Sequence, residues 1–108
     1  MSLRVSLALG LVLAAAQAVP ATAKPARCFT TDDGYFACNF KGLDNAGSFE
    51  ISAPGVPTYT LWIDSPGFAA AFVEIGGRNV SLPGMYVRQR DDPACWGNPE
   101  TNTKICAW

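Results

Sequence analysis

From Cys28 onward, apolar and polar residues alternate in short runs that are separated by turn residues. Phe49 and Ile51 alternate with Glu50 and Ser52, and Tyr59, Leu61 and Ile63 alternate with Thr58, Thr60 and Trp62. Further on, Met85 and Val87 alternate with Tyr86, Arg88 and Arg90. A period of two over about four to eight residues is that of a half-buried strand, one face on a core and one on solvent. The punctuation agrees: Asp33-Gly34, Pro54-Gly55, Pro66-Gly67, Gly76-Gly77, Pro83-Gly84 and Asn98-Pro99 are turn pairs. Ala69 to Ile75 is more continuously apolar and predicts a central strand covered on both faces, being too short between its turn pairs for a typical helix. The fold class is therefore all-β: a small antiparallel sandwich or barrel of roughly seven to nine short strands. Its predicted core comprises Phe36, Phe40, Phe49, Ile51, Leu61, Ile63, Phe72, Val73, Val87 and Ile105.

The first 23 residues have a different pattern. Arg4 supplies a positive start, Val5 to Ala16 is apolar and uncharged, and Ala21-Thr22-Ala23 offers the small residues of a signal-peptidase cut. Residues 1–23 are read as a cleaved secretory signal and 24–108 as one secreted β-rich domain, with no membrane attachment after cleavage. The apolar run is shorter than the roughly 20 residues a spanning helix needs, and Pro20 follows it closely.

All four cysteines, Cys28, Cys38, Cys95 and Cys106, lie after the signal. An even count in a small exported chain is read as a disulfide scaffold. Zinc is disfavoured, because there is no CxxC pair and no histidine in the chain. A hairpin closed by Asp32-Asp33-Gly34, with Gly34 in the left-handed position, sets Thr31 opposite Tyr35 and Cys28 opposite Cys38. A turn over Pro99 to Asn102 likewise sets Cys95 opposite Cys106. These local pairs are preferred, although four cysteines allow three connectivities and a framework of Cys28 with Cys106 and Cys38 with Cys95 would also close.

The whole chain has a net charge of −1, and removal of Arg4 brings it near −2 with the signs interspersed. Without a basic stripe to displace counterions, nucleic acid is not an expected partner. All six Phe, three Tyr and three Trp fall after the signal, as a packed globule requires. The missing histidine and oxidised cysteines remove the usual bases and nucleophiles, so no enzymatic activity and no cofactor or metal is expected. Glu50, Asp64 and Glu74 are the separated acids that a glycosidase would need, but solvated outer-face positions account for them. Asp32-Asp33 and Asp91-Asp92 lack the oxygen series of a calcium loop.

Two binding candidates remain. Trp62 shares its strand face with Thr58 and Thr60 and offers an indole flanked by hydroxyls, a platform for a sugar ring or a partner protein. Arg88 and Arg90 leave one strand face, with Arg78 near the Gly76-Gly77 turn, and three guanidinium groups together suit a carboxylate or phosphate. The chain is accordingly read as a periplasmic or secreted bacterial domain, a non-enzymatic binding or inhibitory module for an envelope protein or glycan. The alternative is a structural or stress-resistance envelope protein with no ligand site. In size, export and spaced aromatics and cysteines, the chain is similar to the periplasmic lysozyme inhibitors, also small exported β-barrels. None of their motifs carries over residue by residue.

Overall fold

The computed structural model describes residues 23–108, so the predicted signal segment lies outside the described residues apart from Ala23. Nine strands follow one another: β1 Lys24–Thr30, β2 Gly34–Gly42, β3 Phe49–Ala53, β4 Val56–Ser65, β5 Phe68–Ile75, β6 Arg78–Ser81, β7 Tyr86–Arg88, β8 Cys95–Asn98 and β9 Thr103–Ala107. Every pairing is antiparallel. Eight strands close a barrel in the order β1-β2-β3-β4-β5-β7-β8-β9, and β1 meets β9 through Cys28–Ala107, Phe29–Cys106 and Thr30–Ile105. β6 lies beside the far half of β5, on the edge that β7 uses at Phe68 and Ala69. Register shifts after Ile51 and after Ile63 bend β3 and β4, and bulges of this kind supply the curvature that closure needs.

Alternation decides what is inside. Cys28, Ile51, Leu61, Ala69, Ala71 and Ile105 are sealed from solvent, with Phe49, Tyr59, Val73, Tyr86 and Trp96 around them. Phe36, Phe40 and Ile63 are half-buried and pack against this cluster, and Phe40 stacks on Phe49 at 5.1 Å between ring centres. Phe72 and Val87, expected in the core, stand on outward positions of β5 and β7 and are half-buried.

Three local expectations are corrected. Ala69 to Ile75 is not covered on both faces: Ala69, Ala71 and Val73 point inward while Glu74 and Ile75 are exposed. Its alanines instead leave interior room, Ala69 pairing with Ile63 on one side and Tyr86 on the other. In β7 the phase is the reverse of that expected, with Tyr86 buried and Met85 exposed, because the Tyr86 hydroxyl finds a hydroxyl partner in Thr103 at 3.0 Å. In the first hairpin the register differs by two residues, so that Thr30 faces Gly34, Cys28 faces Phe36 and Cys38 faces Ala26. The turn closes on Thr30, whose hydroxyl accepts from the Asp33 amide at 3.0 Å and donates to the Asp33 carboxylate at 2.7 Å. A shift of two preserves the faces. Gly34 does take the left-handed conformation, with φ 75°.

Both local disulfides form. Cys28–Cys38 crosses its strand pair diagonally, with 5.9 Å between α-carbons, and lies inside the barrel. Cys95–Cys106 joins directly opposed residues 4.0 Å apart and lies on the outward face of β8 and β9. Two bridges in so small a domain fit an oxidising, extracytoplasmic environment. The β8–β9 turn, Pro99 to Asn102, is the one expected. Asn98, 2% exposed, organises it: its Oδ1 accepts from Glu100 and Thr101 amides, its Nδ2 donates to the Pro83 carbonyl at 2.7 Å, and Asn102 takes φ 56°.

Candidate functional site

Outward positions of β3, β4, β5 and β6 form one shallow face. Tyr59 and Leu61 point into the barrel, so Thr58, Thr60 and Trp62 point out, as expected, and Trp62 is 44% exposed. Glu50 pairs with Thr60 across β3–β4, and Glu74 pairs with Asn79 across β5–β6. Thr58, Thr60, Trp62, Glu50, Glu74 and Asn79 consequently line a single open groove of about 430 Å³. An indole face, two hydroxyls, two carboxylates and an amide offer stacking together with many hydrogen-bond donors and acceptors. Asp64, the third separated acid, is exposed on β4 and does not line this groove.

The arginine trio is not assembled. Arg78 opens β6 opposite Ile75, whereas Arg88 closes β7 beyond the pairing of Val87 with Phe68, seven residues back along β5. Seven residues of strand span about 23 Å. Arg88 is also occupied, donating its Nε to the Pro93 carbonyl at 2.8 Å and lying 5.5 Å from the centre of the Trp96 ring. Arg90 follows β7 as an exposed residue. Arg78 therefore stands at the other end of β5 from Arg88, and the three guanidinium groups are not gathered around one point.

Turn and strand-exit roles account for the acidic pairs. Asp33 binds Thr30 and accepts from the Tyr59 hydroxyl at 3.0 Å, and Asp92 accepts from the Ala94 amide and the Trp108 indole. Burial, reinforced by the hydrogen bond to Asp33, pushes the Tyr59 phenol up to about 12. It stays a proton donor through the neutral range. Among the described residues no group of three or more acids and cysteines is placed to hold a metal ion.

A second surface was not anticipated. On the outward face of β2, β1 and β9, Tyr35 and Trp108 stack at 6.0 Å, Phe29 tilts against Tyr35 at 4.8 Å, and the Arg27 guanidinium lies 4.9 Å and 5.5 Å from the Tyr35 and Trp108 ring centres. Tyr35 is 64% exposed and Trp108 45%. Phe29, Tyr35 and Trp108 surround a small hollow that Cys95 and Cys106 also line, so the cluster roofs the outer disulfide. Trp108 is fixed by backbone bonds with Arg27 and by its indole bond to Asp92 at 3.0 Å. The alternation of β1 shows that Arg27 and Phe29 share a face, but nothing local to either segment places Trp108 there; only barrel closure does.

The chain matches no family model, no curated protein and no solved structure. Its functional reading rests on its own surfaces. Of the two, the Trp62 indole has no stacked cation among the described residues, whereas in the Arg27 cluster the guanidinium already occupies the neighbourhood of both exposed rings.

Proposed function

We propose that the protein is a non-enzymatic binding module of the bacterial envelope, periplasmic or secreted, that contacts a glycan through the Trp62 groove. The observation that carries this reading is the half-exposed Trp62 indole sharing one open groove with Thr58, Thr60, Glu50, Glu74 and Asn79. A sugar ring presents an apolar C–H face suited to an indole and a rim of hydroxyls suited to carboxylates, hydroxyls and amides. A shallow groove on a closed barrel needs no rearrangement to receive such a ligand. Binding without turnover is supported by the histidine-free sequence and by cysteines that are all oxidised.

The test is binding of the purified protein to peptidoglycan fragments and a glycan panel, with Trp62→Ala as control. The substitution is expected to cost about 2 kcal/mol, roughly thirtyfold in affinity. Glu50→Gln and Glu74→Gln should weaken binding less, with no product released in any case. Binding indifferent to Trp62→Ala would remove the groove as the site. Glycan cleavage abolished by either amide substitution would replace the binding reading with an enzymatic one. A structural envelope role predicts no saturable ligand at all.

A further inference from the structure

A third feature lies at one end of the barrel and is independent of the Trp62 groove. There the β1–β2 turn, Pro57, the Leu82-Pro83 segment and Thr101 frame a cup of about 290 Å³. Val73, Leu82 and Ile105 form apolar walls together with the Tyr59 and Tyr86 rings, and Ile75, 57% exposed, stands at the rim. The hydroxyls along one wall are already paired with each other, Tyr86 with Thr103 at 3.0 Å and Thr103 with Thr101 at 2.7 Å. The mouth of a small barrel is a usual place for a ligand, and this volume is at the lower end for such sites. It suits one ring or a short chain and excludes a lipid.

The charge at the mouth is negative. Asp32 and Asp33 both border the cup. Lys104 also borders the cup, and its backbone N–H and C=O are bound to Thr31. Strand alternation sends its side chain outward with Cys106, where it also lines the groove and hollow on the outer face. Asp33 is held before any ligand arrives: Thr30 Oγ1 and the Tyr59 hydroxyl both donate to its Oδ2, at 2.7 Å and 3.0 Å. Its Oδ1 has no hydrogen-bond partner among the described residues.

We propose that the barrel mouth binds a small primary amine with an apolar or aromatic body, its ammonium on the Asp33 carboxylate and its body against Val73, Leu82 and Ile105. An ammonium adds a full opposite charge to its hydrogen bond with Oδ1 and gains from the two tyrosine rings, whereas an alcohol of the same shape keeps the hydrogen bond alone. A carboxylic acid of that shape meets two like charges.

The experiment is an NMR titration of the oxidised protein with phenethylamine, phenethyl alcohol and phenylacetate in parallel. The amine is expected to move the Tyr59, Val73, Tyr86 and Ile105 signals saturably, at least about tenfold more tightly than the alcohol, with no binding of the acid. Asp33→Asn keeps an acceptor for Thr30 and Tyr59 and removes the charge. It should bring the amine down to the affinity of the alcohol while the spectrum stays that of a folded barrel. Trp62→Ala should leave amine affinity unchanged, which separates failure here from failure of the glycan reading. The proposal is overturned by phenylacetate binding as tightly as the amine or by amine affinity unchanged in a folded Asp33→Asn protein. Absence of saturable shifts at these residues up to about 10 mM of every probe also overturns it.

Discussion

Removing one disulfide at a time separates the contribution of loop closure from that of burial. The two bridges span 10 and 11 residues, so the chain-entropy model gives nearly the same stabilisation for each, about 3 kcal/mol. Their surroundings differ. Cys28 and Cys38 belong to the apolar cluster inside the barrel, at 0% and 6% exposure, whereas Cys95 and Cys106 lie outside it under the Phe29, Tyr35 and Trp108 rings. Cys28→Ala with Cys38→Ala therefore also deletes two packed sulfur atoms from a closed interior, adding about 1 kcal/mol for the void. We expect about 4 kcal/mol for the inner pair and about 3 kcal/mol for the outer pair, measured by urea unfolding. With a slope near 1 kcal/mol/M for a domain of this size, these are midpoint shifts of about 4 M and 3 M. A domain of this length has a total stability of roughly 4 to 13 kcal/mol, so loss of both bridges, about 7 kcal/mol together, should remove half of that stability or more. A cost under about 1 kcal/mol for either pair, or a larger cost for the outer pair, would refute the reasoning.

Asn98→Ala removes three hydrogen bonds at a position 2% exposed and leaves the Pro83 carbonyl and two turn amides without their partner; thermal or urea unfolding should show a loss of about 2 to 4 kcal/mol. Tyr59 has a folded pKa of about 12 against an ordinary 10.0, so the stability it adds is complete below pH 10 and is lost as the pH rises through 12. Near-ultraviolet phenolate titration should lose its step near pH 12 in Tyr59→Phe, and the fall in stability over that window should shrink by up to about 2 kcal/mol. Trp108→Ala opens the roof over Cys95–Cys106 and should speed reduction of that bridge severalfold in dithiothreitol, leaving Cys28–Cys38 unchanged. Alkylation with peptide mapping distinguishes the two bridges, and equal acceleration of both would mean that the substitution loosens the barrel as a whole.

The extent to which this molecule was legible in its sequence depends on whether a feature is set by neighbours in the chain or by closure. Alternation is local, so the inward Tyr59 and Leu61 and the outward Thr58, Thr60 and Trp62 were readable. Disulfide pairing within hairpins was also readable, and it survived a register error because a slip of two residues returns every side chain to the same face. The slip arose from a side chain: the Thr30 hydroxyl binds Asp33 and closes the turn before the glycine rule would. Where a strand has only three residues, as in β7, alternation has too few positions to fix its phase, and the Tyr86–Thr103 hydroxyl pair decides it. Surfaces are harder still. Glu50 and Glu74 join Trp62 because β3, β5 and β6 flank β4 in order, a neighbour relation that consecutive hairpins made available. Arg78 and Arg88 are placed apart because β6 and β7 share one edge of β5 end to end, which no spacing rule anticipates. The Arg27, Tyr35 and Trp108 cluster and the cup at Asp33 both require β9 to return to β1, bringing residues more than 70 positions apart into register. Contacts of that separation carry no periodic signal in either segment, so the surfaces made by the last closing pair are the ones that a sequence of this kind conceals.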